Sequence, residues 1–374
     1  MSDKKNFCVA FTGDVAFSQY FEDAVGREIL SDEVVDFLNS SDEVVTNVEA
    51  PITDREFETR RRLKHTNDPK IADFLKSINS RYWNLANNHI MDCGIDAVED
   101  SFSIASDNRC TPLGVVSGDK DFSCVIIGGD IKVAIISLTN PWKSLRTESG
   151  DCITLTWDDT EYFSSLISSV KNKVSKIVMV VHGGLEFSLM PLPFIREKYH
   201  SLLNLGADII VAHHPHVVQN YERAGDKIIF YSLGNFVFDT DYQRKAAYTD
   251  VGVLLKLKFT EESFDFESMA VKIDRGNMTI SSTEIPVNFC DIQPKEYKKL
   301  WPLAARHAGR EKRKSMIYFN SKLASYTKLK WFMRDLKKIK NIKEREILEG
   351  RVLSVFRLSQ NNRVAKYIRD AMNI

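Results

Sequence analysis

The stretch GADIIVAHHPHVVQ, Gly206 to Gln219, places His213, His214 and His216 at the end of one apolar run. The run Ile209–Ala212 reads as a buried strand. Three of the chain's eight histidines therefore sit where that strand stops. Near-adjacent imidazoles repel one another once protonated, close to their ordinary pKa of ~6.5. A polar strand terminus is the plain reading; His214 and His216 as metal ligands is the reading that explains the cluster. His213 reads as an outer or solvated group and is not counted as a ligand.

Outward from this stretch the same grammar recurs. Short β-branched runs close on polar or glycine-rich clusters at Phe7–Phe11 before TGD, at Val44–Val48 in VVTNVEA and at Tyr82–Ala86 in YWNLANNH. KIVMVVHGG and KIIFYSLGN follow the pattern, and CVIIGGD-IKVAIISL reads as a hairpin. DVGVLLKLKFT, ESMAVKIDR and MTISSTEIPV read as consecutive antiparallel strands. Helical periodicity appears between them in KIADFLKSIN, IDAVEDSFSIASD and PFIREKYHSLLNLG, the last closing on Gly206 as a C-cap. Strands alternating with helices predict an α/β body with a mixed sheet.

At 374 residues the chain exceeds what one core usually organises, which predicts a large domain and an appendage. Net charge is zero but unevenly laid out: residues 291–374 carry 22 Lys and Arg against 8 Asp and Glu, leaving 29 against 43 in residues 1–290. The expected organisation is an acidic domain over 1–290 and a basic helical region over 291–374. In the latter, Leu323, Tyr326, Leu329, Phe332 or Met333, Leu336 and Ile339 step at helical spacing, and Ile347, Leu348, Val352 and Phe356 make another apolar face. Six scattered cysteines form no CxxC pair, which argues against a disulfide framework or a thiolate zinc site. No apolar run approaches a membrane span of ~20 residues, and the first residues lack a signal-peptide core. These features predict a cytoplasmic protein. No nucleic-acid module is present.

Ligands of α/β sheets gather at strand ends. Here those ends carry Asp14, Glu49, Asn88, His89, His182, the histidine cluster and Asn235. Carboxylate, amide and imidazole donors suit Zn, Mn, Fe or Mg. Each residue also has a plainer reading. Asp14 is a turn residue, Glu49 a loop acid before a proline, His89 a loop histidine bonded to Asp92, and His182 a buried histidine on a carbonyl. The His89–Asp92 pair equally fits a general acid oriented by a carboxylate. Glu186 and Asn235 read as substrate-binding or supporting groups. His65, His200 and His307 lack supporting neighbours and read as surface histidines.

The blocks FTGDV, NVEAPIT, LANNHIMDCG, HGGLEF, GADIIVAHHPHVVQNYE and YSLGNFVFD occur in an order that resembles the CapA family of poly-γ-glutamate capsule-biosynthesis proteins, within the calcineurin-like metallophosphatase superfamily. They span roughly Phe7 to Asp239. The resemblance implies a four-layer α/β/β/α sandwich. It implies that Asp14 binds one ion, Glu49 bridges two, Asn88 and His182 hold the second, His214 and His216 each reach one, and His89 is the acid. The wider superfamily opens with Asp-x-His, whereas this chain runs Asp14-Val15-Ala16; that trait of the CapA pattern leaves one metal position a ligand short. A one-ion and a two-ion site both follow.

The resemblance implies a phosphoesterase-like, metal-dependent hydrolase acting in capsule or surface-polymer biosynthesis on a phosphoester or acidic polymer. Two alternatives stand beside it: a non-catalytic polymer-binding or assembly factor, and an enzyme of γ-glutamyl amide bonds. The basic C-terminal helices have three candidate surfaces, the acidic body, an acidic polymer or anionic lipid, with packing on the body the plainest.

Overall fold

Period-two burial lays down the centre of the molecule. In the first strand Val9 and Phe11 face one way and Ala10 the other; in the strand before the histidine cluster Ile209 and Val211 oppose Ile210 and Ala212. All of these side chains are buried, as strands covered on both faces require. The computed structural model describes residues 6–55, 65–117, 120–141, 145 and 153–321.

In chain order come β1 (Phe7–Val15), α1 (Asp32–Asn39), β2 (Glu43–Val48), α2 (Ile71–Ser77), β3 (Ser80–Asn84), α3 (Ile95–Asp107) and β4 (Thr111–Leu113). A small hairpin of β5 (Val116–Ser117) and β6 (Lys120–Asp121) leads to β7 (Cys124–Gly128), β8 (Lys132–Thr139), α4 (Thr160–Val170) and β9 (Lys176–His182). Then follow α5 (Pro193–Leu205), β10 (Ile209–His213), β11 (Tyr221–Ala224), β12 (Lys227–Phe230) and β13 (Asn235–Val237). The antiparallel run β14 (Val251–Phe259), β15 (Phe264–Asp274) and β16 (Thr279–Thr283) precedes α6 (Pro294–Ser321).

One sheet has the order β16-β15-β14-β1-β2-β3-β4, with β13 also paired to the end of β1. The other runs β11-β12-β10-β9-β8-β7. Strands β1 to β4 are parallel, as are β8, β9, β10 and β12. The expected hairpin is β7–β8, and the three late strands pair antiparallel as read from the sequence.

Three cores separate four layers. Val9, Phe11, Val178, Val180, Ile209 and Val211 fill the space between the sheets. Val34, Leu38, Leu75 and Val98 pack α1, α2 and α3 on the first sheet's outer face. Phe163, Ile167, Tyr199 and Leu202 pack α4 and α5 on the second. Each such side chain contributes ~1.5–3 kcal/mol on burial. The architecture is the four-layer α/β/β/α sandwich implied above. Helix α5 ends where Gly206 takes φ +128°, and its N–H meets the Leu202 and Leu203 carbonyls.

Helix α6 is the described part of the basic region. Its Ala305 and Ala308 enter the outer core of the second sheet. The apolar steps from Leu323 to Ile339 and from Ile347 to Phe356 lie outside the described residues, as does Cys152. Cys8, Cys93, Cys110, Cys124 and Cys290 are free thiols. No helix among the described residues is long and apolar enough to cross a membrane.

Candidate metal centre

Register puts polar residues in a row at the same end of each sheet. Asp14 of β1 lies opposite Asn47 of β2 and Asn235 of β13, and Asn47 lies opposite Asn84 of β3. In the second sheet Thr139, His182 and His213 are register partners. Both rows stand where parallel strands give way to loops. The loops then add Glu49, Asn88, His89, His214 and His216.

The first row is wired. Asn84 Nδ2 donates to Asn47 Oδ1 at 2.7 Å, and Asn47 Nδ2 donates to Asp14 Oδ1 at 2.8 Å. Asp14 Oδ2 faces His216 Nδ1 at 3.1 Å, and Asp14 Oδ1 lies 3.4 Å from His213 Nδ1. Burial alone would raise the Asp14 pKa, but His213 and His216 hold it well below the usual carboxylate range. His213 is buried, which corrects the option of a solvated side chain.

Glu49 is wholly buried. Neither carboxylate oxygen has a hydrogen-bond partner among the described residues. Around its Oε1 stand His182 Nε2 at 3.7 Å, His216 Nε2 at 3.7 Å and His89 Nε2 at 3.8 Å. Burial pushes the Glu49 carboxyl up to about 8, against His216 and with Asp14 adding to the rise. Burial, with His216 beside it, lowers His214 to about 3, and burial and His214 hold His182 well below its ordinary value. Neutral imidazoles are the form that ligates.

Donor atoms converge in two groups that share one residue. Glu49, His182 and His214 bring ligand atoms within 4.8 Å of one another, and so do Asp14, Glu49 and His216. Asn88 Oδ1 joins the first group, 2.9 Å from His182 Nε2. A buried carboxylate that makes no hydrogen bond and is ringed by imidazole nitrogens is costly without a cation. The donor set fits divalent metal ions.

His89 and Asp92 form the next shell of contacts. Their Nδ1 and Oδ2 are 2.7 Å apart, and the same oxygen accepts the His65 backbone N–H at 3.1 Å. Burial pulls the His89 pKa down, yet Asp92, with Glu49 adding to it, turns the net shift upward. Asn87 completes the loop: its Oδ1 accepts the His89 N–H and its Nδ2 donates to the Val48 carbonyl.

Expectation and structure part at several residues. His65, read as a surface histidine, is buried with its ring centroid 4.5 Å from that of His89 and its Nδ1 3.1 Å from Ser18 Oγ. His200 is half-buried, its Nε2 3.2 Å from Glu222 Oε1, and His307 is half-buried on α6. Asn235, read as a substrate-binding or supporting group, is buried and its amide is committed. Its Oδ1 meets His216 Nδ1 at 3.1 Å, and its Nδ2 donates to Gln243 Oε1 and the Thr249 carbonyl. Glu186 accepts from Tyr242 and pairs with Lys312 of α6. Asn47, Asn84 and Lys312 are site neighbours that motif reading missed; only strand register or the tertiary fold brings them in.

Backbone strain concentrates here too. Ala50 beside Glu49 has φ +111°, His214 φ +95°, His216 φ +57° and Phe187 beside Glu186 φ +63°. Non-glycine residues enter this region at a cost, and do so most often at functional sites.

The chain is 29% identical over 245 residues to the PGA biosynthesis protein CapA of Bacillus subtilis (strain 168), covering 63% of this chain and 64% of that one. It is 25% identical over 256 residues to the capsule biosynthesis protein CapA of Bacillus anthracis, covering 65% and 62%. The match thus spans less than two thirds of either relative. Among solved structures, the 5'-nucleotidase precursor from Thermus thermophilus superposes with a TM-score of 0.43 and 14% identity over 71% of this chain and 54% of that one. The family model described as bacterial capsule synthesis protein PGA_cap matches residues 8–240, the segment that carries every ligand candidate named above, and the chain belongs to that family.

Proposed function

We propose that the chain is a metal-dependent hydrolase of phosphoester bonds that serves capsule or surface-polymer synthesis. One observation carries the reading: Glu49 is buried, makes no hydrogen bond among the described residues, and is shared by two groups of ligand-type atoms. A carboxylate common to two groups of donors would be available to both. Asp14 and His216 would hold one, and His182, His214 and Asn88 the other. Zn, Mn, Fe and Mg all suit these donors.

Bound divalent ions supply a nucleophilic hydroxide near neutral pH and offset charge developing on a phosphoryl oxygen. The chain's own groups do the rest. His89, whose pKa is raised with Asp92 on its Nδ1, would offer a proton from Nε2 to the leaving oxygen. Asp92 fixes the ring. Asn47 and Asn235 hold Asp14 and His216 in register, as supporting groups of metal ligands do elsewhere. The names of the two Bacillus relatives support the capsule setting.

Metal content by plasma mass spectrometry, beside turnover of bis(p-nitrophenyl) phosphate and of a γ-glutamyl anilide, tests the reading. One or two ions per chain, lost in Glu49→Ala and in the His214→Ala/His216→Ala double variant together with phosphodiester turnover, is the expected result. Metal-free protein after reconstitution would overturn it in favour of an assembly or polymer-binding role. Turnover of the anilide alone would move the reaction to C–N bonds.

A further inference from the structure

We propose that Lys312, on the C-terminal helix α6 and outside the family-matched segment, is a substrate-positioning residue whose ammonium takes an oxygen of the anionic group hydrolysed at the centre. The inference rests on the phosphoester reading above. It adds that the basic helix forms one wall of the site.

Lys312 Nζ lies 2.9 Å from Glu186 Oε2, and the lysine side chain is 11% exposed. Tyr242 Oη donates to the same oxygen at 2.8 Å. Glu186 follows His182 by four residues in the loop after β9, so the pair stands on the segment that carries a ligand candidate. Burial alone would raise the Glu186 pKa; Lys312 is the strongest influence against it, followed by His214, and the carboxyl stays well below its ordinary range. Through Glu186 the ammonium is thus held against the loop that His182 opens.

Helix α6 is held where this matters. Ala305 and Ala308 are buried in the outer core, and Glu311, next to Lys312, accepts the Ala247 N–H at 3.0 Å. The loop around Ala247 also carries Gln243 and the Thr249 carbonyl, which hold Asn235 and through it His216. An ammonium offers three donors on a flexible stem, and Glu186 uses one. The positioning role asks one of the others to meet a phosphoryl oxygen. A charge-assisted hydrogen bond of this kind is shorter and stronger than a neutral one.

The competing role is an ion pair that only pins α6, and the two roles separate experimentally. Inorganic phosphate is titrated calorimetrically into the Mn-loaded full chain and into Lys312→Met, Lys312→Arg and Glu186→Gln, with thermal melts beside each. Positioning predicts ~10–100-fold weaker phosphate binding in Lys312→Met. The KM for bis(p-nitrophenyl) phosphate should rise more than kcat falls. Lys312→Arg should recover most of the loss, and Glu186→Gln, which frees the ammonium and removes a negative charge, should tighten phosphate. If Lys312→Met lowers the melting temperature while leaving phosphate affinity unchanged, the lysine only pins the helix. Should Lys312→Met fail to fold, weaker or unchanged phosphate binding in Glu186→Gln would overturn the inference alone. Wild-type protein that takes up metal but binds no phosphate also ends it. Wild-type protein that takes up no metal removes the hydrolase reading and this inference together.

Discussion

Glu49 and His89 sit 3.8 Å apart, and burial acts on them in opposite senses. Neighbours reverse the effect of burial in His89, whereas Glu49 stays raised. For His89 the neighbour is Asp92, so Asp92→Asn should lower the histidine's pKa. A general acid acts while protonated and activity fails as pH rises through its pKa. The alkaline limb of the kcat/KM profile should therefore move to lower pH in Asp92→Asn. His89→Ala should cost ~10²–10⁴ in turnover while metal content stays at the wild-type level. A metal loss of the same size would make His89 a ligand rather than an acid. Asp14, Glu49, Asn88, His182, His214 and His216 could be singled out as candidate donors from the sequence because each lies at or shortly after the end of an apolar run. His65 could not: nothing beside it in the chain signals a role, and the fold alone carries its backbone N–H to Asp92. Asn47 and Asn84 read as ordinary strand residues until register lines them up with Asp14.

The element that couples scaffold to site is the three-residue strand β13, pressed between β1 and β14. It fits because two glycines face it. A Cβ on Gly13 would come within 2.4 Å of the Gly234 carbonyl oxygen, and one on Gly252 within 1.9 Å of that of Asn235. Both obstacles are backbone. Gly252→Ala should destabilise the fold by at least ~2 kcal/mol in urea unfolding and loosen metal binding, since Asn235 holds His216. A second junction ties α5 to β11. Glu222 is paired with Arg196, and His200 and Tyr231 also meet it. Burial works against ionisation, yet these partners, His200 and Arg196 foremost, depress its pKa to about 2. A depressed carboxylate contributes stability above its ordinary pKa and loses it as pH falls toward the folded value. Unfolding measured between pH 5 and pH 2 should show a shallower decline in Glu222→Gln than in wild type. The same variant should be ~3 kcal/mol less stable at pH 7, because Arg196 is left without its carboxylate. No sequence pattern announced either junction, since both depend on which strands become neighbours.

Across the whole molecule the two sheets share an apolar interior but meet in polar contacts at the centre, where the first contributes Asp14 and Glu49 and the second His182, His214 and His216. A ligand that binds only the folded state at a hundred times its dissociation constant adds about 2.7 kcal/mol. Chelation should therefore lower the melting temperature while leaving far-ultraviolet circular dichroism intact, because the three cores do not depend on the centre. Collapse of the dichroism on chelation would mean that the ions hold the sheets together. The layer architecture was readable from alternating strands and helices, and packing of the basic region on the body was the plainest expectation; which residues of α6 make the contact was not readable, because its charge dominates its composition and the buried Ala304, Ala305 and Ala308 stand out little from it. The spacing of the donors along the chain has a further consequence, for biosynthesis. Asp14 and His216 are about two hundred residues apart, roughly 10–40 s of translation at 5–20 residues per second. A nascent chain that has exposed Glu49 and Asn88 still lacks every imidazole of the His182–His216 region. With His182, His214 and His216 still to come, neither group of donors is complete. Loading of the centre thus waits until the segment after β10 has been made, and draws on whatever metal the surroundings then offer.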